Sequence, residues 1–379
     1  PAFPVSPQLD AYLRQYSRNI GIPIFYEDLL RFQGSVVVYD SNDEDTLWVR
    51  VFYSEYDREG SGVYLPPARP VREIVAEAGS ADTSIYEGWN NVCHALKDDH
   101  PSSMGGKALK AALADAGVDP AEVKLVIFAG MSRDYLPSWS VSAELITIAG
   151  MSSDCNCIDL TVGCMGALTA LDMAQGWLAL RGGGVAAVVA AERWSYTVDH
   201  SASESYGLWA HADGGAATIV GMSTDHRAKG LFYGAEFVSQ SDLNGAVLVE
   251  YGGTRKPTAP EGTTPFERKF VGVDGVDMRE RYALGYQSSY QALKKRFGVV
   301  PNHALCNQTS NLFMLLIASV IEIPIDNFTI TGHDTGHVGS ADILIVLDKL
   351  LKSSGCNEPY LMAGSTPYAF GSGLLMPAD

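Results

Sequence analysis

The chain lacks any apolar stretch long enough to cross a bilayer. Its longest runs, 185–191 and 312–318, fall far short of the ~20 residues a span needs. It also lacks an excess of positive charge. Its 27 Lys and Arg stand against 44 Asp and Glu, for a formal net charge of −17. Nucleic acid and anionic membrane surfaces both call for a basic footprint, so neither is an expected partner. The first residues show no basic-then-apolar leader pattern, which leads us to expect a soluble, cytoplasmic protein. Six cysteines in 379 residues are too sparse for a disulfide framework. Cys155 and Cys157 form only C-x-C, with no second pair at zinc-finger spacing. Free thiols are therefore expected, and one of them is available for chemistry. G-x-x-x-x-G-K-[ST], G-x-G-x-x-G after a strand, G-x-S-x-G and H-E-x-x-H are all absent. None of the eight His pairs with carboxylates at metal-site spacing, so no metal is expected.

What is present is a globular composition: 46% apolar residues, with 18 Tyr, 13 Phe and 6 Trp to bury. At ~150 residues per domain the length allows two or three units. Residues 1–59 read as an extension with short helices at 8–15 and 26–32. Strands at 35–39 and 46–52, joined by a polar turn, read as a hairpin. From 60 onward strands and helices alternate, as in packed α/β layers. A helix at 107–116, a strand at 123–129, a helix at 141–149 and a strand at 157–162 lead to the turn GCMG at 163–166. A long helix at 167–180 follows, then a Val/Ala strand at 185–191, the pattern of a strand covered on both faces. The second half has a helix at 288–296, a strand at 303–306, a helix at 311–321 and a strand at 328–331. The loop 332–337, a helix at 340–351 and strands at 360–364 and 370–376 complete it. Strand, small-residue loop, helix, strand thus occurs twice, around Cys164 and around His337. We read a duplication with halves 60–225 and 226–379.

Cys164 is the strongest chemical signal. At the first turn of a helix, unsatisfied N–H groups and the helix dipole favour a thiolate and stabilise an oxyanion. A small packing residue in a tight turn is the competing explanation. His337 occupies the equivalent loop of the second half, with His333 as a rival. Asn307 follows a strand and precedes a helix, where a capping or turn residue is equally expected. The run DGGA at 213–216 reads as a structural tight turn. The run AFGSG at 369–373 offers backbone N–H groups or close strand approach.

These segments resemble, in order, the ketoacyl-ACP synthase III enzymes of the thiolase superfamily. GVYLP at 62–66 resembles their opening strand and GCMG at 163–166 their nucleophile segment. HADGGAA at 211–217 is similar to their GDGAGA turn, and NQTS at 307–310 stands where they carry HQAN. TGHVGSA at 335–341 resembles HGNTSAA, and AFGSG at 369–373 resembles their closing FGGG. The resemblance implies an α/β, duplicated five-layer αβαβα thiolase-like fold, here with a small α+β segment at the N-terminus, and a homodimer. It implies a Cys nucleophile acylated by a coenzyme A or acyl-carrier-protein (phosphopantetheine) thioester, with no cofactor and no metal. Cys164 carries over directly. Asn307 falls at the family's His and His337 at its Asn, so the types are present but exchanged. The backbone N–H groups of Cys164, Gly371 and Ser372 are the implied oxyanion hole.

The exchange bears on the reaction. Decarboxylative condensation needs two donors on a malonyl enolate oxygen, which Asn307 and His337 would both have to supply. Acyl transfer to a small-molecule alcohol or amine needs a single base, for which His337 suffices. The exchange favours a specialised acyltransferase or starter-unit synthase. A 3-oxoacyl-ACP synthase and a degenerate partner or carrier-binding subunit are the alternatives. The family's coenzyme A-gripping Arg is missing after Trp89, which leaves Trp89 as a binding candidate. Arg279, Arg281, Lys294, Lys295 and Arg296 are the candidate basic patch for an acidic carrier protein.

Overall fold

The structure is a computed structural model that describes residues 36–40, 47–51, 60–77, 88–136, 138–198, 208, 210–222, 228–263 and 267–378. Two units separate, Pro1–Glu55 and Tyr56–Asp379. In the first, Val36–Asp40 and Leu47–Val51 pair antiparallel, which is the expected hairpin. The helices expected at 8–15 and 26–32 lie outside the described residues.

The larger unit is built on two five-stranded sheets of identical plan. The first contains β1 (Gly60–Tyr64), β2 (Val123–Phe128), β3 (Asn156–Asp159), β4 (Gly184–Arg193) and β5 (Asp213–Met222), in the order β1-β5-β4-β2-β3. The second contains β6 (Leu231–Ser239), β7 (His303–Cys306), β8 (Phe328–Thr329), β9 (Tyr360–Thr366) and β10 (Ala369–Met376), in the order β6-β10-β9-β7-β8. In each sheet the first three strands in that order run antiparallel to their neighbours and the last three parallel.

The helices make the remaining layers. α1 (Pro101–Ala116) and α2 (Val141–Ala149) cover the outer face of the first sheet, and α4 (Met278–Phe297) with α5 (Asn311–Ile321) covers that of the second. α3 (Gly166–Leu180) and α6 (Asp342–Ser353) touch strands of both sheets, so they form the central layer. Three apolar clusters fill the spaces between the layers. Strand β4 is buried along almost its whole length, which explains its Val/Ala composition. The layering is the expected αβαβα arrangement.

Two expectations change. The run 213–216 is not a turn but the start of β5, and the glycines serve close packing. A Cβ on Gly215 would lie 2.8 Å from the Met104 backbone of α1. The helix expected at 288–296 is the end of a longer one, because Asp277 caps α4 through the N–H groups of Arg279 and Glu280. The run 369–373 lies in β10, which is the strand expected at 370–376, with consequences for the site below. Among the described residues, no helix is long and apolar enough to cross a membrane.

Candidate active site

Two matching loops converge at the centre of the larger unit. Each passes through a 3-10 turn, Gly163–Met165 or Gly339–Ala341, into a central-layer helix. Both turns open on a left-handed glycine, Gly163 at φ 55° and Gly339 at φ 61°. A Cβ on Gly163 would sit 2.3 Å from Thr366 Oγ1, and one on Gly339 would sit 2.6 Å from the Trp194 ring. Glycine is therefore required twice over, by conformation and by space.

This convergence brings Cys164 Sγ to 3.5 Å from His337 Nε2. The other ring nitrogen of His337, Nδ1, meets Asp342 Oδ2 at 2.5 Å. Asp342 is the first residue of α6, and its carboxylate also accepts the N–H groups of Val338 (2.7 Å) and Gln308 (2.6 Å). Those bonds fix the carboxylate, the carboxylate fixes the imidazole, and Nε2 faces the thiol. Burial opposes the charge on His337, which is 1% exposed. Asp342 and Cys164 outweigh burial and push the imidazole up to about 10. It is His337 that meets the Cys164 sulfur. His333 bonds instead to Asn311 Oδ1 at 2.8 Å and packs edge-on to Trp89.

Asn307 is fully buried, and its carboxamide is committed to backbone. Nδ2 donates to the carbonyls of Cys164 (3.0 Å) and Gly339 (3.3 Å), and Oδ1 accepts from the Ser365 N–H at 2.9 Å. Both donors are consumed, so the expected role as a free donor to an enolate is not supported. Asn307 ties the two active-site turns to β9.

The oxyanion expectation changes as well. Gly371 and Ser372 lie inside β10, opposite Phe237 and Glu236 on one side and Gly364 and Ala363 on the other. In a strand with antiparallel neighbours on both sides, each N–H goes to one ladder or the other. Gly371 is there for proximity, since its Cβ would lie 2.9 Å from Met165 Sδ. The hairpin end around Thr366 touches the same loop at Gly163. The N–H of Cys164 remains, at a helix start where no i−4 carbonyl competes for it.

The expected binding residues also behave differently. Trp89 is a core residue, 5% exposed, packed against Gly332 and His333. Arg279 lies in the first turn of α4 and Lys294 and Lys295 in the last, about 23 Å apart at 1.5 Å per residue. Arg281 pairs with Asp242 at 2.8 Å and Arg296 with Glu236 at 2.8 Å, and Lys294 lies over the Tyr290 ring. The group does not form one basic patch.

Sequence reasoning missed four residues beside the pair. His211 lies with its ring centroid 5.0 Å from that of His337 and joins it in an isolated parallel β-bridge. Trp194 packs on both imidazoles, at 4.5 and 5.2 Å. The Cζ of Arg268 stacks 3.8 Å from the Trp194 ring, and its Nη1 reaches His211 Nδ1 at 3.4 Å. Burial, His337 and Arg268 hold His211 well below its ordinary pKa, so it is neutral. With Nδ1 accepting from Arg268, its proton resides on Nε2. Asp342 is the fourth. An acidic residue in a first helical turn ordinarily reads as a dipole partner.

The profile of the family described as 3-oxoacyl-[acyl-carrier-protein (ACP)] synthase III matches residues 158–240, which include the Cys164 turn. The beta-ketoacyl-[acyl-carrier-protein] synthase III of Sulfurovum sp. is 22% identical over 291 residues, covering 74% of this chain and 81% of that protein. The enzymes of two Lactobacillus delbrueckii subsp. bulgaricus strains match over 288 residues each, at 25% and 40% identity. Each match covers 70% of this chain and 79% of the relative. The structure of 3-oxoacyl-(acyl carrier protein) synthase III from Pseudomonas aeruginosa PAO1 superposes with a TM-score of 0.71 at 18% identity, over 84% of this chain and 97% of that one. Cerulenin-bound OleA of Xanthomonas campestris gives 0.72 at 17% identity, over 85% and 97%. Related by sequence across most of its length and alike in fold, the chain belongs to the 3-oxoacyl-[acyl-carrier-protein] synthase III family of thiolase-superfamily enzymes.

Proposed function

We propose that the protein is a ping-pong acyltransferase. It takes an acyl group from a coenzyme A or acyl-carrier-protein thioester onto Cys164 and passes it to a small-molecule alcohol or amine. It works as a homodimer. The observation that carries this reading is the single line Cys164 Sγ, His337 Nε2, His337 Nδ1, Asp342, one nucleophile served by one oriented base. The exchanged His and Asn support it, because Asn307 has no N–H left for a second substrate oxygen.

The steps follow from charge. His337, whose imidazole is raised to about 10, holds as imidazolium the proton that Cys164 gives up on becoming the nucleophile. The thiolate attacks the thioester carbonyl, and the Cys164 N–H binds the oxyanion. As the intermediate collapses, the departing pantetheine sulfur takes the proton from His337. Acylation removes the negative charge that held His337 protonated. The neutral imidazole then accepts the proton of the acceptor's O–H or N–H as that atom attacks the acyl-cysteine. It returns to the imidazolium as the thiolate is released. Relatives named for acyl carrier protein, and an OleA structure described with lauroyl-CoA, support a thioester donor.

Intact-protein mass after mixing with acyl-CoA tests the reading. We expect a single acyl adduct that disappears in Cys164→Ala; no adduct with any donor leaves the partner-subunit reading standing. One observation favours a second enzymatic reading, decarboxylative condensation: His211 presents an Nε2–H next to His337, giving two imidazole donors. CO₂ release from labelled malonyl thioester, dependent on Cys164, His337 and His211, would establish it.

A further inference from the structure

Arg268 opens the short strand Arg268–Phe270, which pairs with Val247–Val249, and the transfer steps above make no use of it. It is 6% exposed. A guanidinium stays charged in a protein, and a buried charge is costly unless it is paired. Its environment provides little pairing. One face is stacked on Trp194, and a single N–H reaches His211 at 3.4 Å, a long contact to a neutral ring. Of the five N–H groups of a guanidinium, the rest find no partner among the described residues.

The nearest candidate counter-ion is engaged elsewhere. Glu192 Oε1 accepts from Met131 N and Ser340 Oγ, and Oε2 from Ser132 N, Ser132 Oγ and Trp194 Nε1. Five neutral donors satisfy that carboxylate, which acts on Arg268 through its charge but makes no ion pair with it. Arg268 is also near enough to Cys164 for charge on the sulfur to act on it. A buried, planar, forked cation with open N–H edges beside a nucleophile matches a carboxylate in both geometry and charge.

We propose that Arg268 receives a carboxylate borne by the substrate, either at the far end of the transferred acyl group or on the acceptor. The inference rests on the acyl-transfer reading and names its substrate class. Trp194 holds the guanidinium plane, and His211 orients its edge.

The test uses the full chain with two matched pairs of probes. In the donor arm, succinyl-CoA and butyryl-CoA are titrated into Cys164→Ala protein by calorimetry, so binding is read without turnover. In the acceptor arm, acylated wild-type protein is chased with 3-hydroxybutyrate or with 2-butanol and loss of the adduct is followed by mass. Hydrogen bonds to a charged group lead us to expect a preference of about tenfold or more for the carboxylate in one arm. Arg268→Gln should abolish it, read as the ratio between the two members of each pair falling to about one. Arg268→Met, an apolar chain of similar reach, replaces Arg268→Gln if the latter fails to fold. Equal handling of both members in both arms overturns the proposal, as does a preference that survives loss of Arg268. A normal acyl adduct without carboxylate preference defeats this inference alone. Absence of any adduct defeats the transfer reading, and the donor arm still reads Arg268.

Discussion

The side-chain amide of Asn307 donates to the carbonyl oxygen of Cys164 at 3.0 Å, so the Cys164 peptide is held by a residue at the end of the second sheet. The same amide holds Gly339, which opens the turn beside His337. One carboxamide therefore sets the separation of thiol and imidazole. Asn307→Ala removes the Asn307 bond to the Cys164 carbonyl and leaves the Ser365 N–H without its acceptor, while the Gly339 carbonyl keeps the Asp342 N–H, at ~1–3 kcal/mol per unsatisfied group when not relaxed. We expect a loss of roughly 2–4 kcal/mol by urea denaturation, and both half-reactions slowed together. Selective loss of the second half-reaction at unchanged stability would show instead that Asn307 touches the acceptor. Asn307→His, which restores the family's residue type, should not create condensation activity, because an imidazole cannot make all three bonds.

Asp342 acts through His337. Asp342→Asn keeps the shape but puts an amide where His337 Nδ1 and the N–H groups of Val338 and Gln308 need an acceptor. We expect the transfer rate to fall by about 10²–10⁴-fold, the range of general-base contributions, with donor affinity unchanged. A matching loss in donor affinity would point to a collapsed loop rather than a mis-set base.

Much of this site was legible because the chemistry sits at repeated local patterns. Cys164 and His337 each follow a strand and precede a helix, and the repeat alone brings both loops to one place. Asp342 was not legible, since its role depends on the five-residue return of the loop onto His337. Arg268 and Trp194 meet only through tertiary structure, and a lone Arg in a polar stretch carries no pattern. The oxyanion role implied for Gly371 and Ser372 was not legible as absent, because only the sheet shows that a neighbour on each side commits their N–H groups. The basic residues of α4 looked like a patch because their acidic partners, Glu236 and Asp242, lie on segments distant in sequence.

Gly163 tests how tightly the nucleophile turn is built. Gly163→Ala places a Cβ at φ 55° and 2.3 Å from Thr366 Oγ1. The left-handed conformation alone costs roughly 1–2 kcal/mol for an L-residue, and the contact adds to it. We expect a stability loss of about 2–4 kcal/mol and at least tenfold slower acylation of Cys164, because the strain displaces the thiol directly. Thr366→Ala combined with Gly163→Ala should recover part of the stability by clearing the hydroxyl. No recovery would assign the loss to backbone conformation alone.

The raised pKa of His337 couples stability to pH. Its imidazole moves from an ordinary 6.5 to about 10 in the folded protein: burial opposes its charge, and Asp342 with Cys164 more than compensates. Below about 6.5 both folded and unfolded chains carry the proton, and the full contribution is present. Between that value and about 10 the folded protein retains a proton that the unfolded chain has released. Stability from this group therefore falls as pH rises, and it is gone above the folded value. Urea midpoints from pH 6 to pH 10 should converge between wild type and His337→Gln as the pH increases, since only the wild type has this contribution to lose. A gap that is constant across the range would mean that His337 is neutral in the resting enzyme. The first step would then begin from a thiol, with His337 as its base, rather than from a preformed ion pair.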